Sequence, residues 1–140
     1  MSRVQLALNV EDLDAAIDFY TRLFKTGPAK VRDGYANFAI DEPPLKLVLV
    51  TGYGKPGSLN HLGVEVPTTD DVAAAKSRLA DEGLETKVEE QTECCYATQD
   101  KVWVSDPSGA WWEVYTVLGD SDVFDPRDAA SSSEASPARP

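Results

Sequence analysis

The chain has one histidine, two cysteines, and 13 lysines and arginines against 24 aspartates and glutamates. Each scarcity excludes something. At a net charge of −11, no basic patch is available for a phosphate backbone or an anionic lipid headgroup, so neither nucleic acid nor membrane is an expected partner. No apolar run approaches the roughly 20 residues that a bilayer crossing requires, and the chain opens on strand-like alternation instead of a basic-then-apolar leader. The expected location is therefore the cytoplasm, where Cys94 and Cys95 are reduced. As adjacent residues they would in any case close almost no chain as a disulfide. A single histidine, His61, with no nucleophile signature around it, disfavours serine-hydrolase and cysteine-protease chemistry. The glycine-rich stretch from Thr51 to Gly57 lacks both the lysine-serine/threonine ending and the following helix of a phosphate loop, and it reads as a linker.

What is present is a repeat. Val4-Gln5-Leu6-Ala7-Leu8-Asn9-Val10 matches Asn60-His61-Leu62-Gly63-Val64-Glu65-Val66 at an offset of 56, and the same offset carries Arg22-Leu23 onto Arg78-Leu79 and Gly27 onto Gly83. One motif is written twice within 140 residues, a length that suits a single domain. Residues 3–10 alternate as a half-buried strand, with Val4, Leu6, Leu8 and Val10 on the helix-packing face and Gln5, Ala7 and Asn9 on the other. A helix capped by Asp12 follows, its apolar stripe running from Leu13 through Tyr20 to Phe24, and Gly27-Pro28 stops it. Strands over 34–40 and 45–51 flank a turn at Asp41-Glu42-Pro43-Pro44. In the second copy Thr68 and Asp71 form a capping-box pattern, Gly83 ends the helix, and strands are expected at 101–105 and 111–117 around the turn from Asp106 to Gly109.

Aligning the closing strands sets Glu113 against Leu47 and leaves about ten residues inserted between Leu84 and Lys101. That insertion contains Thr92 to Thr98, expected as a loop that exists in one copy only, a natural place for ligand selectivity. Past Leu118 the pattern ends, and 119–140 is expected to be a disordered tail. The fold class is thus α+β: two tandem βαβββ modules, at about 2–51 and 58–118, forming a curved, cup-shaped mixed sheet around a metal site.

Gln5, His61 and Glu113 come from three strands whose faces would line that cup. An amide oxygen, an imidazole nitrogen and a carboxylate suit a divalent transition metal with coordination positions left open. The alternative for His61 is an ordinary structural or surface histidine. Cys94 and Cys95 are either two half-buried loop thiols or soft ligands for a thiophilic centre such as trivalent arsenic, mercury or cadmium.

With these residues in view, the paired modules resemble the vicinal oxygen chelate superfamily, which includes glyoxalase I, extradiol dioxygenases and fosfomycin resistance proteins. The string from Leu59 to Val66, the run from Glu93 to Val104 with its cysteine pair and Asp100-Lys101-Val102-Trp103, and Trp112-Glu113-Val114-Tyr115 are similar to the carbon-arsenic lyases and the cadmium-induced proteins of actinobacteria. The likeness covers residues 2–118. It implies an Fe(II) enzyme that uses dioxygen to cleave the carbon-arsenic bond of trivalent organoarsenicals such as methylarsenite, releasing arsenite. By the same resemblance Gln5, His61 and Glu113 hold the iron, and Cys94 and Cys95 bind the arsenic of the substrate. The chain is expected as a monomer or homodimer. Some relatives carry cysteine-rich tails and this chain does not, which argues against a storage or delivery role for the tail. Two rival readings are a protein that sequesters cadmium or arsenic without turnover, and another glyoxalase or dioxygenase of the same fold. Glyoxalases commonly use four protein ligands, and Leu47, the position matched to Glu113, cannot ligate.

Overall fold

The computed structural model of the chain describes residues 2–94 and 97–120. These form two compact units, Arg3–Leu62 and Gly63 onwards, each of mixed α and β structure. In the first, β1 (Arg3–Asn9) leads to α1 (Leu13–Phe24), then β2 (Lys30–Arg32), β3 (Tyr35–Ile40) and β4 (Leu45–Val50). The strand order is β2-β3-β4-β1, with the opening half of β5 (Leu59–Glu65) next to β1. β1 runs parallel to β4 with Leu6 opposite Leu47 and Ala7 opposite Val48, and β3 is antiparallel to β4.

α1 forms where its pattern places it. The Asp12 carboxylate accepts a hydrogen bond from the Ala15 amide at 3.0 Å, satisfying one of the donors that a helix start leaves open. Leu13, Ala16, Ile17, Tyr20 and Phe24 pack on a core of Phe38, Ile40, Leu45, Leu47 and Leu49. The helix stops before Gly27: Lys25 turns left-handed at φ 54° and its amide returns to the Thr21 carbonyl. On β1 the polar face is the more deeply buried. Gln5 and Asn9 are each 4% exposed and Ala7 is fully buried, whereas Val4 is 46% exposed. Buried amides at these positions require hydrogen-bond partners.

The second unit takes the end of β5, then α2 (Thr69–Asp81), β6 (Lys87–Cys94), β7 (Ala97–Ser105) and β8 (Trp111–Asp120), in the order β5-β8-β7-β6. The expected capping box is present: the Asp71 amide donates to Thr68 Oγ1, and the Thr68 amide donates to the Asp71 carboxylate, both at 3.1 Å. Thr68→Ala removes half of this reciprocal cap and should cost about 1 kcal/mol, read as a lower denaturation midpoint with unchanged slope. α2 buries Val72 and Leu79 and packs on β7 and β8.

Three features depart from the expectations. First, β2 and most of β6 were not visible in the residue pattern. Second, the described residues of the expected Thr92–Thr98 loop are strand: Thr92 pairs with Gln99, Glu93 with Thr98 and Cys94 with Ala97. The extra residues lengthen the β6–β7 hairpin, whose β7 has nine residues against six in β3. Third, the strand register moves the residue equivalent to Glu113. In the first unit the Val10 amide donates to the Val50 carbonyl, and in the second the Val66 amide donates to the Tyr115 carbonyl. Val10 and Val66 are repeat partners, so Tyr115 corresponds to Val50 and Glu113 to Val48, not to Leu47. Leu47 belongs to the core under α1. Cys95 and Tyr96 lie outside the described residues, as does the expected tail of 119–140 except for Gly119 and Asp120, which end β8.

Candidate metal and substrate site

Gln5 and His61, paired by the repeat, meet in the structure. Gln5 Nε2 lies 3.2 Å from His61 Nε2, and both residues are 4% exposed. The other ring nitrogen, Nδ1, is 2.9 Å from Asn60 Oδ1. An amide oxygen can only accept, so Nδ1 carries the proton and Nε2 presents its lone pair towards Gln5. A half-turn of the Gln5 amide on metal binding would exchange its nitrogen for its oxygen. The pair then offers an imidazole nitrogen and an amide oxygen side by side. Two donors bound at right angles with bonds of about 2.1 Å stand about 3 Å apart, so the observed spacing fits two neighbouring ligands of one cation.

Glu113, the third candidate, is on β8 and is 3% exposed. Its Oε1 lies 2.8 Å from the ammonium of Lys101 on β7, itself 2% exposed. The ammonium also stands over two rings, 5.3 Å from the centre of Trp103 and 5.9 Å from that of Tyr115. Sequence reasoning passed over Lys101 because lysines are almost always surface residues. Its signal was an alternating strand in which Lys101 shares a face with the apolar Trp103. With a cation on one oxygen, the Glu113 carboxylate is oriented and its charge is retained in a buried position. In metal-free protein, Lys101→Met strips the ammonium from this carboxylate and should cost about 3–5 kcal/mol in urea unfolding, whereas Lys101→Arg should recover part of the loss. A change below about 1 kcal/mol would mean that Glu113 does not rely on the ammonium.

Among the described residues, no three His, Cys, Asp or Glu side chains cluster as a metal site. The sequence-derived donor set contains only two residues of those types, its other member being an amide.

Cys94 ends β6; its side chain, and the whole of Cys95, fall outside the described residues. The strand that carries Cys94 is anchored by Asp100. One Asp100 oxygen accepts from the Gln91 amide at 2.7 Å and the other from the Thr69 hydroxyl at 2.9 Å. Gln91 has φ 50° and sits in the irregularity between Glu89 and Thr92. A bulge bends its strand and re-aims the residues beyond it. Here the buried carboxylate holds that bend against the start of α2 and so sets the direction in which β6 reaches Cys94.

Comparison with known proteins agrees with this architecture. The family model described as the Glyoxalase/Bleomycin resistance protein/Dioxygenase superfamily matches residues 3–114. A cadmium-induced protein, CadI, of Mycobacterium tuberculosis is 63% identical over 124 residues, covering 89% of this chain and 82% of its own. A trivalent organoarsenical cleaving enzyme of Thermomonospora curvata is 57% identical over 145 residues, covering 96% of each chain. Among solved structures, an extradiol ring-cleaving dioxygenase from B. fuscum superposes with a TM-score of 0.61 at 21% identity, over 86% of this chain and 34% of that one.

Proposed function

Because the chain belongs to the Glyoxalase/Bleomycin resistance protein/Dioxygenase superfamily, we propose that it is an enzyme that cleaves the carbon-arsenic bond of trivalent organoarsenicals, with Fe(II) as cofactor and dioxygen as co-substrate. The observation that carries this reading is the convergence of Gln5 and His61, two buried donors at the spacing of neighbouring ligands, in a chain that also bears an adjacent cysteine pair. The 57% identity to a protein named for organoarsenical cleavage supports the substrate class.

Under this proposal His61, Gln5 and Glu113 hold the metal. His61 contributes the neutral nitrogen donor, Gln5 a weak neutral oxygen donor, and Glu113 the charge that favours a divalent ion. Lys101 holds one oxygen of Glu113 in place. When bound, Fe(II) supplies redox chemistry with open positions for dioxygen. Cys94 and Cys95 bind trivalent arsenic as soft thiolates and fix the position of its methyl or aryl carbon, so that binding energy is spent on orientation. The products are arsenite and an oxidised carbon fragment.

A second reading keeps the thiols and drops the turnover: the chain would sequester cadmium or arsenic, a reading favoured by its 63% identity to a protein named as cadmium-induced. Methylarsenite offered in large excess to purified protein with Fe(II) in air separates the two. Arsenite in many-fold molar excess over protein is expected for the enzyme, and at most a stoichiometric amount of bound arsenical for the sequestering protein. A glyoxalase-type centre with four protein ligands is disfavoured because Val48, equivalent to Glu113 by register, has no donor atom.

A further inference from the structure

The single histidine is at one end of a chain of side-chain hydrogen bonds that lies wholly within the first unit. Beginning at the far end, the Ser58 hydroxyl is 2.5 Å from the backbone carbonyl of Lys55. Asn9 Nδ2 is 2.9 Å from Ser58 Oγ, Asn60 Nδ2 is 2.9 Å from Asn9 Oδ1, and His61 Nδ1 is 2.9 Å from Asn60 Oδ1. Asn9, Asn60 and His61 are all buried.

From this geometry we infer that Asn60, Asn9 and Ser58 are positioning residues that hold His61 as its Nδ1–H tautomer, and that the Lys55 carbonyl sets the direction of the whole relay. A backbone carbonyl only accepts, so the one proton of the Ser58 hydroxyl is committed to it. The Ser58 oxygen can then only accept from Asn9, which must turn its amide nitrogen to Ser58 and its oxygen to Asn60. Asn60 is forced the same way and presents its oxygen to the ring. Reversing any amide sets two acceptors or two donors against each other, a mismatch that water cannot relieve at the buried Asn9 and Asn60. On the ring's other side, a Gln5 amide nitrogen facing His61 Nε2 donates to the lone pair that the same tautomer leaves there.

The stretch from Thr51 to Gly57, read from the sequence as a linker, therefore contains the anchor of the relay. Its backbone is tied to β1, because the Gly57 amide donates to the Asn9 carbonyl at 2.9 Å and the Asn9 amide donates to the Ser58 carbonyl at 3.0 Å. Gly54 leaves room for the relay: a Cβ there would come within 2.5 Å of Asn9 Nδ2.

The consequence for metal binding rests on the reading proposed above, but the tautomer does not, and it is measured without metal. Because His61 is the only histidine, a two-bond proton–nitrogen correlation spectrum of metal-free protein in mildly alkaline buffer reports this ring alone. The expected spectrum shows a pyrrole-type Nδ1 and a pyridine-type Nε2. Asn60→Leu should convert it to the other tautomer or to an average of the two, and should weaken Fe(II) binding, measured anaerobically by dialysis, about 10- to 100-fold. Asn60→Asp keeps an acceptor at Nδ1 and should restore the wild-type nitrogen pattern. Gly54→Ala, which alters none of the three candidate ligands, should shift the pattern partway by displacing the Asn9 amide. An Nε2–H ring in the wild type would overturn the relay, as would an Asn60→Leu protein with unchanged nitrogen signals. A wild-type ring with the expected tautomer that binds no Fe(II) would uphold the relay and remove the metal reading instead.

Discussion

His61→Ala is expected to purify folded and to retain almost no Fe(II) after desalting, and Glu113→Ala is expected to behave in the same way. With three protein ligands, losing either the sole imidazole or the sole carboxylate removes a large share of the binding free energy, and the second-neighbour contacts cannot replace a donor. Gln5→Ala should be milder, because a neutral amide is the weakest donor of the three. Each substitution also disturbs buried polar contacts, and Glu113→Ala, which takes the carboxylate from the buried Lys101 ammonium, should be the more destabilising, by about 3–5 kcal/mol. His61→Ala takes the donor from Asn60 Oδ1 and should lower stability by about 1–3 kcal/mol, small enough for the fold to survive. Iron content measured beside a thermal melt separates lost binding from lost folding. Full occupancy in both His61→Ala and Glu113→Ala would eliminate these residues as the metal site.

The second large effect concerns the thiols. Cys94→Ser and Cys95→Ser should each keep Fe(II) and lose binding of the trivalent arsenical, since a hydroxyl is a hard, poor donor to arsenic. The two halves of the site are then separable: the metal variants fail in iron content, and the cysteine variants fail in substrate binding at full iron content. Titration of each variant with methylarsenite, followed by arsenic analysis of the retained protein, reads the difference. Turnover by the double serine variant at the wild-type rate would show that the cysteine pair does not hold the substrate.

The internal repeat makes much of this legible in the sequence. It placed Gln5 and His61 at equivalent positions, and the structure brings their side chains to 3.2 Å. It also carried both helices with their starts, because caps are local chemistry: Asp12 and Thr68 act on amides three residues away. Register between strands is not local. A one-residue slip in aligning β4 with β8 put Leu47 in place of Val48, although side chains on a strand change face at every residue. Lys101 was passed over for a related reason, since its burial depends on Glu113, Trp103 and Tyr115, which reach it from its own strand and the neighbouring one. The relay through Asn9, Asn60 and Ser58 was hidden in a different way. Asparagine and serine beside a glycine-rich stretch have the composition of an ordinary turn, and only their distances reveal a directed chain of donors and acceptors.

The central claim is oxygen-dependent cleavage at a metal site, and one measurement tests it most directly: arsenite released per chain by metal-free protein reloaded with Fe(II) and given excess methylarsenite, first under strict anaerobiosis and then after air is admitted. Binding of the arsenical without release in the first phase, followed by many arsenite molecules per chain in the second, is the expected result. Multiple turnovers before oxygen enters would contradict the account and point to hydrolytic or thiol-driven cleavage, in which the metal serves as a Lewis acid.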